Sequence, residues 1–94
     1  MISSGGSTRD NVLLDVRAFV VDNFLFGVED PALTETTSFL ETGVIDSTGI
    51  LELVGYVENR FGILVEDEEM LPGNLDSLSN LASYVSRKLG QRNQ

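Results

Sequence analysis

The fold is decided by a stretch that turns from a glycine into an amphipathic helix: Gly43-Val44-Ile45-Asp46-Ser47-Thr48-Gly49-Ile50-Leu51-Glu52-Leu53. Asp and Ser are favoured at helix N-caps because their side chains accept unpaired N–H groups of the first turn. The stretch therefore predicts a helix that begins at Ser47. A helix N-terminus also favours a bound phosphate. Ser47 is thus a candidate for a serine that receives a phosphorylated group, with Asp46 as its cap or as a group that orients a partner's metal ion or basic residue.

Helical periodicity appears in three parts of the chain. Apolar residues recur at helical spacing from Thr8 to Phe26, from Ser47 to Phe61 and from Ser77 to Leu89. Such amphipathic stripes predict three main helices packed on one core. A glycine, the residue that commonly ends a helix, follows each of them: Gly27, Gly62 and Gly90.

The connections between these helices differ in length. Residues 28–46 contain Pro31 and many Thr and Ser residues, which predicts a long ordered loop with a short turn over residues 38–41. Residues 63–65 form an apolar link, and the acidic run 66–69 predicts a short turn or helix before Pro72. Five apolar side chains are expected to pin the long loop to the core: Leu33, Phe39, Leu40, Val44 and Ile45.

These patterns predict an all-α fold, a small four-helix bundle. It has three main helices, one short helix before the last, and a long loop between the first two. One domain is expected over residues 8–90, with a flexible tail at 1–7 and a frayed end at 91–94. Tyr56 is the one aromatic residue expected to be exposed. The other aromatic residues are expected in the core: Phe19, Phe24, Phe26, Phe39, Phe61 and Tyr84.

The composition excludes several classes of partner. The 94 residues include 15 acidic and 6 basic side chains, which gives a formal net charge of -9. Phosphate backbones repel such a chain, so nucleic acid and anionic membranes are poor partners. No apolar run is long enough to cross a bilayer, and the N-terminus lacks the features of a signal peptide. We expect a cytoplasmic monomer.

The residue types argue against catalysis. The chain has no His and no Cys, and its one lysine, Lys88, is far from Ser47 in sequence, so Ser47 has no candidate base. Asp46 and Glu52 could form a pair of catalytic carboxylates, but nothing in so small a chain indicates a cleft around them. The run from Glu66 to Glu69 lacks the alternating ligands and the glycine of a calcium loop. We expect no metal site and no enzyme.

Two segments together carry a resemblance to a known family. They are Phe39-Leu40-Glu41-Thr42-Gly43-Val44-Ile45-Asp46-Ser47 and Glu52-Leu53-Val54. They resemble the acyl carrier protein and peptidyl carrier protein family, which has a Gly-x-x-Asp-Ser-Leu motif followed by Glu-Leu five and six residues after the serine. The resemblance extends over about residues 8–89.

This resemblance implies a phosphopantetheine carrier. A phosphopantetheinyl transferase would use coenzyme A and Mg²⁺ to attach 4'-phosphopantetheine to Ser47, and the arm's thiol would hold cargo as a thioester. Leu64 and Val65 are candidates for lining the place where arm or cargo rests, or alternatively are ordinary core residues. Partner enzymes would dock mainly along the second main helix, at Asp46, Thr48, Ile50, Leu51, Glu52, Val54, Gly55 and Glu58, and at Val65.

The sequence departs from the family pattern beside the serine. Thr48 replaces the usual leucine, Gly49 leaves the surface beside Ser47 uncluttered, and Gly55 replaces a bulky residue. The second helix is also less acidic than in carriers of fatty acid synthesis. These features favour a specialised pathway: a small stand-alone aminoacyl or D-alanyl-type carrier, loaded by an adenylating acyl or amino acid ligase and unloaded by a downstream transferase or synthase. The alternative is a small acidic helical interaction module without a prosthetic group.

Overall fold

A computed structural model of the chain describes the backbone of residues 8–92 and the side chains up to Gly90. Within this range the chain is helical and contains no strand, as the sequence predicts. The three long helices are α1 (Thr8–Phe24), α3 (Ser47–Phe61) and α5 (Leu78–Arg92); the one-turn helices are α2 (Phe39–Thr42) and α4 (Pro72–Leu75), and a 3-10 turn spans Asp67–Glu69.

The core lies mainly between α1 and α5, which make the most extensive contact between helices. Val12, Val16 and Val20 recur every four residues of α1 and are fully buried, as expected for one face of a helix. On α5 the buried positions include Leu81 and Val85. The bundle is therefore built on the stripes that the sequence predicts.

The helix α3 packs one flank against the C-terminal half of α1. The ring of Tyr56 stacks on Phe19 with 4.2 Å between centroids, and the Tyr56 hydroxyl donates to the carbonyl of Asp15 at 3.2 Å. Arg60 Nη2 lies 2.9 Å from Asp15 Oδ2. Tyr56 is therefore half-buried instead of exposed, and these contacts fix the direction of α3.

The end of α1 differs from the prediction. The helix ends at Phe24, and the N–H of Gly27 closes the turn by donating to the carbonyl of Val21 at 2.9 Å. Phe26 adopts a positive φ of 56° and is 93% exposed. Its expected place in the core is wrong, because the backbone turns out of the helix before this residue.

The long loop is held to α1 by Arg17, which donates to the carbonyl of Leu33 at 3.0 Å. Leu33, Phe39 and Ile45 are buried, as expected. Leu40 is not: it is 44% exposed. It follows the buried Phe39 on the single turn of α2, and one turn cannot place both of these consecutive side chains in the core.

The segment after α3 returns to the core through Val65. Gly62 ends α3 with a φ of 67°, and its N–H donates to the carbonyl of Glu58 at 3.0 Å. Val65 is buried, whereas Leu64 is exposed. The predicted extended link therefore contacts the core through Val65, while the side chain of Leu64 faces the surface.

The 3-10 turn is tied to α5 by Glu69. Its Oε1 accepts from the Tyr84 hydroxyl and from Lys88 Nζ, each at 2.9 Å. The Lys88 hydrogen bond lowers the pKa of Glu69 from its ordinary value. Burial, followed by the hydrogen bond to Glu69, raises the pKa of Tyr84. The turn, which carries most of the acidic run, is thus anchored at its last residue.

The helix α5 begins and ends near the predicted positions. Ser77 caps it by accepting from the N–H of Asn80 at 3.1 Å. The helix then runs through Gly90 to Arg92, because Gly90 does not adopt the positive φ seen at the helix-ending Gly27 and Gly62. The helix therefore continues three residues beyond its predicted end at Leu89. The predicted tail at 1–7 and the last two residues of the predicted frayed end lie outside the described residues.

Candidate functional site

Ser47 is the first residue of α3, and its side chain is exposed. Asp46 precedes it as the N-cap, and Asp46 Oδ1 accepts from the N–H of Gly49 at 2.7 Å. The carbonyl of Asp46 accepts from the N–H of Ile50 at 3.0 Å. Asp46 is thus occupied as a helix cap, while Ser47 presents its hydroxyl at the helix start.

The approach to Ser47 is fixed by a left-handed glycine and a buried isoleucine. Gly43 ends α2 with a φ of 77°, a region that side chains with a Cβ rarely adopt. Ile45 is buried, and its N–H donates to the carbonyl of Phe39 at 3.3 Å. Gly43 turns the loop and Ile45 anchors it to the core, so the backbone that carries Ser47 is held in a fixed position.

Gly49 has a packing role that differs from the predicted one. It is buried, and a Cβ placed on it would lie 2.7 Å from Ile45 Cγ2 and 2.9 Å from Phe24 Cε1. Carbon atoms do not approach so closely without displacement. Gly49 therefore lets α3 pack against the end of α1, and it does not clear the outer surface beside Ser47.

An apolar groove of about 180 Å³ opens directly beside Ser47. Ser47 and Asp76 are its polar members. Its apolar lining comes from α2, α3 and the segment around α4: Leu40, Ile50, Leu51, Met70, Leu71, Pro72 and Leu75. The groove is therefore the feature of the described surface best placed to receive an apolar group attached at Ser47.

Leu64 and Val65 do not border this groove. Val65 is buried, as the alternative prediction of an ordinary core residue has it, and Leu64 is exposed. The apolar run Met70-Leu71-Pro72 beside the acidic segment was the available signal.

Asp76 joins the two sides of the groove. Its backbone carbonyl accepts from the N–H of Phe39 at 2.9 Å, and its Oδ1 accepts from the N–H of Leu40 at 3.0 Å. The Ser38 hydroxyl donates to Asp76 Oδ2. Three hydrogen bonds thus hold the start of α2 against the residue that follows α4.

The predicted docking residues divide into three groups. The exposed ones are Asp46, Thr48, Leu51 and Glu52; the half-buried ones are Ile50, Gly55 and Glu58. Val54 and Val65 are only 9% and 7% exposed. Their side chains belong to the hydrophobic core, so they offer no open docking surface here.

Charged side chains near the site are largely committed to internal contacts. Glu58 Oε2 accepts from the N–H of Val65 at 2.9 Å, and Arg60 pairs with Asp15. Each of the five cationic side chains that the structure describes has a hydrogen-bonding partner: Arg9, Arg17, Arg60, Arg87 and Lys88. Glu52 is left as the exposed acid on the body of α3.

Two further kinds of site are absent from the described part of the chain. No three His, Cys, Asp or Glu side chains of residues 8–90 come together as metal ligands. None of the described helices has the length and apolar character that crossing a membrane requires.

Comparison with known proteins identifies the class of this site. Residues 25–85 match the family described as "Phosphopantetheine attachment site". This match spans more than half of the chain, so the chain belongs to that family of phosphopantetheine-carrying proteins. Such carriers hold a prosthetic arm and are not catalysts themselves.

Its relatives narrow the class to carriers of the acyl type. An acyl carrier protein of Akkermansia muciniphila is 35% identical over 75 residues, which cover 80% of this chain and 89% of the relative. An acyl carrier protein of Exiguobacterium sibiricum is 28% identical over 87% of this chain and 99% of the relative. One of Thermotoga maritima is 24% identical over 89% of this chain and 99% of the relative. The protein is a carrier of the acyl carrier type, and such carriers are modified by phosphopantetheinyl transferases.

The residues at the start of α3 fit a phosphopantetheine group. With Gly49 and Ile50 bonded to Asp46, the N–H groups of Ser47 and Thr48 have no helix carbonyl to bind, as at any helix start. They lie where a phosphodiester on Ser47 Oγ would carry its negative charge, which the helix dipole favours. The apolar groove adjoins the same hydroxyl. When bound, the group supplies the thiol that the chain, with no Cys, lacks.

Proposed function

We propose that Ser47 is the attachment residue and that the chain carries an acyl or aminoacyl cargo for a specialised pathway. One observation carries the first part: Ser47 presents an exposed hydroxyl at the start of α3, directly beside an apolar groove. Its Asp-Ser pair is the family's motif, within the matched residues 25–85. The chain's own residues then have a positional task, which is to hold and present Ser47.

The groove supports a role in sheltering part of the arm or cargo. Ile50, Leu51 and Leu75 line it beside Ser47 with apolar surface. Placing an apolar group there removes it from water, which is favourable at about 25 cal/mol per Å² buried. The groove is open along one side, so a partner enzyme can withdraw what it holds.

The outer surface of α3 supports the specialised pathway. Thr48 and Gly55 stand where the family often has larger apolar residues, and Glu52 is the exposed acid on the body of the helix. Glu58 is committed to Val65. A partner enzyme that binds a leucine after the serine and several acids along this helix makes fewer contacts with α3 of this chain. This favours an adenylating acyl or amino acid ligase for loading, with a downstream transferase or synthase for unloading.

We further propose that the carrier acts as a monomer in the cytoplasm. Its net charge of -9 supports the monomer, because copies of one acidic chain repel each other. The alternative function, an acidic helical interaction module without a prosthetic group, is an outcome of the first experiment below.

The first experiment is intact-mass measurement after incubation with coenzyme A, Mg²⁺ and a promiscuous phosphopantetheinyl transferase. We expect one added phosphopantetheine on the wild-type chain and none on Ser47→Ala, because the alanine has no nucleophilic oxygen. Thr48→Val removes the neighbouring hydroxyl and serves as the matched control, which still accepts one group. A folded wild-type chain that gains no mass contradicts the carrier function and supports the interaction module.

A second experiment tests the cargo. The modified chain is offered amino acids and short or long acyl groups together with candidate adenylating ligases, and thioester formation is followed by mass. We expect amino acids or short acyl groups to load. Loading by long-chain acyl groups alone would contradict the specialised pathway and leave the carrier function intact.

A further inference from the structure

The end of α1 carries an apolar surface that only partly packs on the core: Phe24 and Leu25 are half-buried against it, whereas Phe26 and Val28 are exposed. Phe24, Leu25, Phe26, Val28 and Pro31, here called the Phe26 patch, line one shallow groove with Glu29 and Asp30 at its edge. Phe26 is 93% exposed and Val28 is 67% exposed. A single exposed apolar residue needs no explanation, whereas a contiguous group with a large aromatic side chain at its centre marks a contact surface.

The backbone gives independent support. Phe26 is the one non-glycine residue of the described chain with a positive φ. This conformation is costly for a residue with a Cβ and is normally left to Gly, Asn or Asp. Two hydrogen bonds fix it: the N–H of Gly27 donates to Val21 at 2.9 Å, and that of Val28 donates to Leu25 at 3.0 Å. The chain therefore holds a phenylalanine rigidly where a small residue is easier to place, and strain of this kind clusters at functional positions.

The Phe26 patch adjoins the start of α3. Phe24 Cε1 lies 2.9 Å from the position of a Cβ on Gly49, and Gly49 is two residues from Ser47. Two residues span at most about 7 Å. The apolar groove borders α3 at Ile50 and Leu51, while Gly49 faces α1. The first turn of α3, which begins at Ser47, thus borders the apolar groove on one face and packs against Phe24 of the Phe26 patch on another.

We propose that the Phe26 patch is a docking site for the phosphopantetheinyl transferase that modifies Ser47. This rests on the proposed function. The transferase must bring coenzyme A to Ser47 Oγ itself, so its footprint is centred on that atom. A standard interface covers about 800 Å² per partner, a disc of roughly 16 Å radius, which reaches the patch. Enzymes that act on the far end of the arm have no such requirement, so they are the less suited occupants.

The edge of the patch indicates the chemistry of the matching surface. Asp22 and Asp30 lie on either side of Phe26 in sequence and have no cationic partner among the described residues, whereas Glu29 is paired with Arg17 at 2.7 Å. The complementary surface is an apolar socket for the Phe26 ring with basic residues around it, because opposite charges at an interface rim guide association. Rigid presentation of the ring lowers the ordering cost of binding.

The test is steady-state kinetics of modification, with the transferase of the organism that encodes the chain. Phe26→Ala removes the ring. Phe26→Asn also removes it but suits the positive φ, so it keeps or improves folding stability, which thermal unfolding by circular dichroism checks. Leu14→Ala is the matched control: Leu14 is also an exposed apolar residue of α1, 67% exposed, and lies ten residues before Phe24, about 15 Å along the helix.

We expect both Phe26 variants to raise KM by about tenfold or more with kcat little changed, as for a contact residue outside the reaction centre. Leu14→Ala should match the wild type. Phe26 variants within twofold of wild type overturn this proposal and leave the carrier function standing, since the wild type is still modified. Normal modification with slower loading by a ligase overturns it too, by assigning the patch to another enzyme. A wild-type chain that is never modified refutes the proposed function instead.

Discussion

At Gly49 the absence of a side chain is a packing requirement. Ile45 and Phe24 occupy the space into which a Cβ would project, and Ile45 is fully buried, so it has little room to move. Gly55, six residues along the same helix, has no atom within 4 Å of the equivalent position. Two glycines in one helix therefore have opposite sensitivities to the same substitution.

We expect Gly49→Ala to destabilise the fold by about 1 kcal/mol. Overpacking costs about 1–3 kcal/mol, and this exceeds the gain in helix propensity of about 1 kcal/mol. Gly55→Ala keeps the gain without the overlap, so it should stabilise by about 0.5–1 kcal/mol. Urea unfolding midpoints at unchanged m-values measure both. Equal stability of the two variants would show that Ile45 and Phe24 yield freely.

Local sequence signals determine the bounds of α3 but not the exposure of Phe26. The bounds of α3, Ser47–Phe61, agree with the prediction because a capping Asp-Ser pair and a C-terminal glycine are local signals. The exposure of Phe26 was not predictable, because an apolar residue at the end of a helical stripe has the same local pattern whether the chain continues inward or turns away. Only the backbone bend at residues 25–27 decides between them.

At the scale of elements, α2 and α4 are too short to be stable alone. Asp76 connects them, with its carboxylate bound to the N–H of Leu40 and to the hydroxyl of Ser38. Leu40 of α2 and Leu75 of α4 both line the groove. The groove was only partly predictable from sequence for this reason: Met70-Leu71-Pro72 is a local apolar run, but the rest of the lining comes from segments about thirty residues away that a side-chain contact joins to it.

We expect Asp76→Ala to loosen α2 and to lower stability by about 1–3 kcal/mol, because two hydrogen-bond donors lose their acceptor. Native-state amide exchange resolves the effect. The Leu40 amide, bound to the carboxylate, should lose more protection than the Phe39 amide, which is bound to the backbone carbonyl of residue 76. Asp22→Ala, an exposed acid on α1, is the control without effect on either amide. Unchanged Leu40 exchange would contradict the clamp.

At the scale of the whole molecule, Glu69 closes the bundle by joining the segment after α3 to Tyr84 and Lys88 of α5. Chiefly through the Lys88 hydrogen bond, folding lowers the pKa of Glu69. The folded state therefore binds this proton less readily than the unfolded state does. The stabilisation is present above the ordinary carboxyl pKa of about 4.3 and is lost as the pH falls through the lower, folded value.

We expect Glu69→Gln to flatten the acid side of the stability profile. Between about pH 6 and pH 3, the wild type should lose more of its free energy of unfolding than the variant does, since the variant has no carboxylate to protonate. Denaturant unfolding at a series of pH values measures the difference. Glu68→Gln, at the exposed neighbouring position on the same 3-10 turn, should follow the wild type. Parallel profiles for wild type and Glu69→Gln would exclude this link.

The pairing of the cations has a consequence for the speed of recognition. Arg17, Arg60 and Lys88 each form an ion pair with a neighbouring carboxylate. With a formal net charge of -9, the chain therefore presents a mainly negative electrostatic field to an approaching molecule. Such a field accelerates diffusional encounter with basic surfaces and weakens steeply with ionic strength, while the lifetime of a complex depends on its close contacts. If the carrier serves the further enzymes proposed above, arrival is fast for every basic partner, and departure is set separately by each one.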